Sequence, residues 1–228
     1  MVSLYSCLRL LVDHMWLGVA AALLFVAGLA TAGPVVRYDY RALMVFPLWV
    51  VRRVMRIIGS EMRALRVFLV IFLFNSVAIY LYMVSGVLII LPAAFAFLTG
   101  LNIGVVVLKG RESALAAAVE APPDPSVAPP APVGIPRWVD YCGMVVLALE
   151  LPSFWISVGL GIGMARKLSV AGQYTLGNMG ALLTERTHAY WMIILPALFL
   201  SAVAETAAIR GHARGRSEEP QSHEEADD

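Results

Sequence analysis

Four polar side chains stand inside long apolar runs: Asn75, Asn102, Glu150 and Glu205. A carboxylate in such a run has two chemical uses. It can hold an ion or a proton, or it can accept hydrogen bonds from amides on neighbouring helices and fix their packing. Glu150 lies two residues before Pro152. A proline inside a helix removes the donor to the carbonyl four residues back and kinks the axis there. A carboxylate beside such a break suits an ion or proton site. Asn75 and Asn102 are the candidate amide partners, and the sequence leaves both uses of Glu150 open. Glu205, close to Arg210, suits an anchor to that arginine or to a headgroup better than a catalyst. Gly100 and Gly104 flank Asn102, and Gly159 and Gly163 follow Pro152. The Gly-x-x-x-Gly spacing admits a second helix backbone at close range, so both pairs are expected packing faces.

Catalytic chemistry has no comparable residue set. The chain has no His-Glu-x-x-His, no Gly-x-Ser-x-Gly and no P-loop, the arrangements that hold a zinc, a nucleophile or a phosphate. Its four histidines, His14, His188, His212 and His223, lack metal-ligand spacing. Cys7 and Cys142 make neither a disulfide framework nor a zinc site. Gly159-x-Gly161-x-Gly163 lacks the preceding strand and the third spacing of a nucleotide fingerprint. The expectation is a non-enzymatic protein with no cofactor, metal or catalytic residue. With 17 Lys+Arg against 16 Asp+Glu, the clustered positive charge of a nucleic-acid partner is missing too.

The elements that must position Glu150 and the asparagines are membrane spans. Of the 228 residues, 60% are hydrophobic and 14% charged, too few charges to coat a water-soluble domain. A bilayer core of about 30 Å needs about 20 apolar residues in a helix. Met15 to Val36 meets that test, and its length and the preceding Asp13 favour a retained span over a signal peptide. Val67 to Leu108 holds no Asp, Glu, Lys, Arg or His. As one helix it would reach about 63 Å, so it is expected to be two spans turning near Ser85-Gly86. Tyr141 to Ala165 and Thr187 to Ile209 are the fourth and fifth, with Trp16, Trp138, Tyr141, Tyr190 and Trp191 as interfacial anchors.

The remaining segments differ in kind. Arg37 to Arg66 carries seven arginines around an apolar stretch too short to span. It fits an amphipathic helix in the headgroup region, or a solvated linker helix. Ser113 to Pro136 holds seven of the thirteen prolines and is expected to be extended. Leu168 to Glu185 is expected to form an interfacial helix or a re-entrant loop. The acidic tail, polar without periodicity from Ser217 on, is expected to be disordered. The chain thus divides into a first-span region (1–36), an Arg-rich segment (37–66), a transmembrane hairpin (67–112), a Pro/Ala-rich linker (113–136), the last two spans with the segment between them (137–209) and the tail (210–228). The fold class is all-α: a polytopic membrane helical bundle of about five spans plus one amphipathic interfacial helix. Thirteen of the seventeen Lys and Arg fall on one side of this arrangement, Arg166-Lys167 pulling the other way. The positive-inside rule then predicts a multi-pass cell-membrane protein with its N-terminus outside and its C-terminus in the cytoplasm.

Several of these residues resemble one family. Phe74-Asn75, Gly86 and Gly100-Leu101-Asn102-Ile103-Gly104 look like the paired core spans of the stage II sporulation protein M family. Leu149-Glu150-Leu151-Pro152 with Gly159 to Gly163 resembles its Glu-Leu-Pro helix and glycine-rich end. Ala171-Gly172-Gln173 and Ala202-Val203-Ala204-Glu205 resemble the later amphipathic stretch and the acidic last span. The chain departs at Val146-Leu147, where the family often has His-Gly, and at Asn102-Ile103, where it has Asn-Gly. The resemblance implies a scaffold or partner subunit of an envelope-remodelling complex, embedded in the bilayer beside other membrane proteins or further copies of itself. The alternative is a transporter or channel subunit with a polar path at Glu150, Asn75 and Asn102.

Overall fold

A computed structural model describes residues 3–59, 63–120, 137–170 and 172–217. Every regular element among them is helical: α1 (Leu4–Asp13), α2 (Met15–Arg37), α3 (Arg41–Ile58), α4 (Ala64–Val84), α5 (Leu91–Glu120), α6 (Arg137–Leu168), α7 (Leu176–Ala189) and α8 (Leu195–Ser217). A 3₁₀ turn, Ser85–Val87, ends α4, and a π-helical turn, Tyr190–Ile194, joins α7 to α8 without a break. Five stretches are long and apolar enough to cross a membrane: Met15–Arg37, Ala64–Val87, Leu91–Ala116, Tyr141–Leu168 and Leu176–Gly211.

Helix α2 is the hub. Its most extensive contacts are with α5, and it also lies along α6. Leu17, Gly18, Ala21, Phe25, Gly28, Ala32 and Val35 are buried, the three-and-four spacing of one helix face. The opposite face exposes Val19, Leu23 and Val26. Small residues bring the backbones together. A Cβ on Gly28 would collide with the Phe97 carbonyl oxygen, and one on Gly100 with that of Phe25. A Cβ on Gly104 would come within 2.5 Å of the Ala32 Cβ. On the α6 side, a Cβ on Gly159 would sit 2.7 Å from the Gly18 nitrogen. The two glycine pairs therefore meet the same helix, α2, from two sides.

Helices α4, α6 and α8 pack on one another beside this hub. The Ser85–Val87 turn crosses α6 where two glycines face: a Cβ on Gly86 would collide with the Gly161 carbonyl. Tyr174, in the connection before α7, donates a hydrogen bond of 3.0 Å to the Val87 carbonyl and ties that connection to the turn. At the other end, α3 buries Met44, Pro47 and Ile58 against its neighbours and exposes Phe46, Trp49, Arg52, Arg53 and Arg56.

Three expected boundaries move. From Leu176 the chain is one continuous helix that runs into the last apolar stretch, opened by Thr175, whose hydroxyl accepts from the Asn178 N–H. Ser113–Glu120, expected to begin the extended linker, continues α5, and Arg210–Ser217 continues α8 rather than opening the tail. Alanine-rich sequence carries α5 on through Ser113–Glu120, and neither extension contains a proline to stop it. The Pro-rich part of the linker and the acidic end of the tail lie outside the described residues.

Candidate functional site

The carboxylate Glu150 lies in α6, in the fourth of the stretches long and apolar enough to cross a membrane, with Pro152 continuing the same helix. Its Oε1 accepts from Asn75 Nδ2 of α4 at 2.7 Å and from Ser201 Oγ of α8 at 3.0 Å. One oxygen thus joins three spans. An ionised carboxylate at such depth costs on the order of 3 kcal/mol when unpaired, and two donors offset part of that.

Asn102 does not join this group. It is half-buried on α5 and makes no hydrogen bond among the described residues, because its helix packs on α2 rather than on α6 at that level. Glu205 forms no ion pair with Arg210 among the described residues. It sits one turn beyond Ser201 on α8, within Coulombic reach of Glu150. The expected anchor to Arg210 is replaced by a second carboxylate near the first.

A polar track leads away from Glu150 toward the start of α2. Ser153 and Ser157 are buried and share its face of α6 at three- and seven-residue spacing. The hydroxyls of Ser76 and Ser157 have no partner. Tyr190, expected at the interface, is buried. Its hydroxyl donates to the Ser76 carbonyl at 2.7 Å, and its ring meets Tyr80 edge-on at 5.0 Å between centroids. Tyr80 in turn bonds Thr187 at 3.2 Å.

Beyond Thr187 stands Arg186, which the sequence places in a loop ahead of the fifth span. The structure buries it completely. Its Nε donates to the Leu160 carbonyl at 3.0 Å and its Nη1 to the Leu182 carbonyl at 3.0 Å, with Glu185 at 3.4 Å, while Nη2 has no partner. Helix α1 folds against α7. Next to this arginine, His14 binds the Leu10 carbonyl through Nδ1 at 2.8 Å. Burial is the main cause that lowers the His14 pKa, with Arg186 and Lys167 acting the same way and the Leu10 carbonyl and Glu185 opposing.

Sequence reasoning missed Ser201 and Arg186. Ser201 carried a weak signal, a hydroxyl one turn before Glu205 in an alanine-rich span. Arg186 carried none, since only the packing of α1 and α6 around α7 distinguishes it from an ordinary flanking charge. No group of three or more His, Cys, Asp or Glu able to hold a metal occurs among the described residues. No family model, curated protein or solved structure matches the chain.

Proposed function

We propose that this chain is a non-enzymatic, multi-pass cell-membrane protein that acts as a scaffold or partner subunit of an envelope-remodelling complex, as its resemblance to the stage II sporulation protein M family implies. One observation carries the reading: Glu150 Oε1 takes both Asn75 and Ser201, so one polar group from each of three spans is spent on clamping them together. The cleft at the start of α2 and the one beside Phe72 and Phe199 are not lined by Glu150, Asn75 or Asn102. A bundle clamped this way offers its outer faces to the bilayer and to other membrane proteins or further copies of itself. Its N-terminus is outside and its C-terminus cytoplasmic, so α3 lies on the cytoplasmic leaflet with Arg52, Arg53 and Arg56 among anionic headgroups, at about 1 kcal/mol each. Phe46 and Trp49, stacked 6.5 Å apart, dip toward the acyl chains.

A transporter or channel subunit is the second reading. The unpartnered hydroxyls of Ser76 and Ser157, and Glu205 so near Glu150, favour it. The two separate in liposomes loaded with a pH-sensitive dye. A scaffold should carry no proton or ion flux above that of its Glu150→Gln variant, and should migrate in mild detergent at a mass above one chain. A flux that Glu150→Gln abolishes would replace the scaffold with the transporter.

A further inference from the structure

At the end where α2 begins and α6 stops, the surface holds a cleft of about 230 Å³. Charges of both signs line it: Asp13, Arg166 and Lys167, together with His14, Trp16 and Gly163. Among the described residues none of Asp13, Arg166 and Lys167 is in an ion pair, though they share the cleft. All three side chains are exposed. The Arg166 guanidinium lies 5.5 Å over the Trp16 ring, which orients it and leaves its N–H edge free to donate.

His14 is aimed by its surroundings. A carbonyl only accepts, so Nδ1 carries the proton in its bond to Leu10. The Cδ2–Nε2 edge of the ring then packs on the bare Cα of Gly163, where a Cβ would collide with the imidazole. Because burial favours the neutral ring, Nε2 is an acceptor at pH 7. The buried Arg186 behind it adds positive potential, with only the half-exposed Glu185 nearby to offset it. Met15 and Leu168 are the terminal residues of two membrane-length helices, so the cleft stands at headgroup level.

We propose that this cleft binds a phosphoethanolamine group, with its phosphate on Arg166 and Lys167 and its primary ammonium on Asp13. The chemistry discriminates. A guanidinium fork and an ammonium suit a phosphate. A carboxylate only accepts, and a primary ammonium brings three donors. A quaternary ammonium has no N–H to give Asp13, and an anionic glycerol headgroup would leave Asp13 facing negative charge. This inference does not depend on the scaffold reading: it uses only the cleft and the helix ends.

The experiment is native mass spectrometry of the delipidated full-length chain, titrated in turn with phosphatidylethanolamine, phosphatidylcholine, phosphatidylglycerol and soluble phosphoethanolamine. Phosphatidylethanolamine should occupy the protein about tenfold more readily than the other two lipids, the scale of one charge-assisted hydrogen bond. Asp13→Asn should erase that preference, and the double change Arg166→Gln, Lys167→Gln should weaken all lipids alike. Among the described residues the Asp13 side chain makes no hydrogen bond or ion pair, so its variant should fold. Binding of the lipid without the soluble compound assigns the headgroup of a membrane lipid; binding of the soluble compound alone assigns a free solute. Equal occupancy by phosphatidylglycerol, or a preference that survives Asp13→Asn, would overturn the proposal.

Discussion

Replacing Gly28 by alanine tests the packing of α2 on α5 at a point where the backbones touch. The new Cβ would collide with the Phe97 carbonyl oxygen and lie 2.9 Å from both the Phe97 carbonyl carbon and the Leu101 nitrogen. Every one of these atoms is backbone, so no rotamer change relieves the clash and the two helices must part by about 1 Å. A gap of that size forfeits a quarter to a half of each contact along the seam, and overpacking of this kind costs about 1–3 kcal/mol. Gly110 on the partner helix α5 supplies the control, since a Cβ there meets nothing within 4 Å. Alanine at Gly110 should gain about 0.5–1 kcal/mol from helix propensity alone, and Gly28→Ala shares that gain. The difference between the two variants therefore isolates the clash, and corresponds to roughly 2–12 °C in Tm for a chain of this size. The assay is thermal unfolding in detergent, followed by circular dichroism. If the two variants melt together, α2 and α5 do not pack through Gly28.

Other outcomes follow from the polar groups. Asn75→Leu should lower stability by about 1–2 kcal/mol by leaving Glu150 with Ser201 alone, whereas Glu150→Gln should be close to neutral because an amide oxygen still accepts; a larger loss for Glu150→Gln in the same melting assay would contradict the clamp. His14 binds a proton less readily in the folded protein than a free histidine side chain, whose pKa is 6.5. The folded state thus gains stability that is complete above pH 6.5 and is lost as pH falls below it through the lowered value, and the fall in Tm between pH 7.5 and pH 5 should be smaller in His14→Gln. Unchanged pH profiles would show that the ring is not protected by the fold. For orientation, with Cys7 and Cys142 replaced, Ser169→Cys should react with a membrane-impermeant thiol reagent in intact cells and Asp39→Cys should not. The reverse pattern would invert the protein in the membrane.

The spans were legible because apolar length is a direct physical requirement for crossing a bilayer. The charge-free run from Val67 to Leu108 had to fold back, and it does so through the 3₁₀ turn at Ser85–Val87. Glu150 and Asn75 could be matched because so few polar groups compete for partners in that run. What stayed hidden depended on which faces meet. Gly18 and Gly28 carry no Gly-x-x-x-Gly spacing, yet they receive Gly159 and Phe97. Asn102 looked equivalent to Asn75 along the chain, and only the packing of α5 on α2 separates it from Glu150. Arg186 reads as a span-flanking charge until α1 and α6 are packed around α7.

The π-helical turn at Tyr190–Ile194 has a genetic corollary. Such a turn is a single extra residue accommodated in an α-helix, here just before Pro196, which has no N–H to complete a regular turn. In a regular α-helix each residue added or removed rotates everything downstream by about 100°. Arg186 upstream is fixed on Leu160, and Ser201 downstream is fixed on Glu150. The bulge absorbs the surplus residue, so the two anchors keep the phase they would have in a regular helix one residue shorter. Deleting one of these five codons should therefore close the bulge and leave Ser201 facing Glu150, whereas adding one more turns the downstream half away from Glu150. This short stretch is where the gene should tolerate the loss of a codon better than the gain of one.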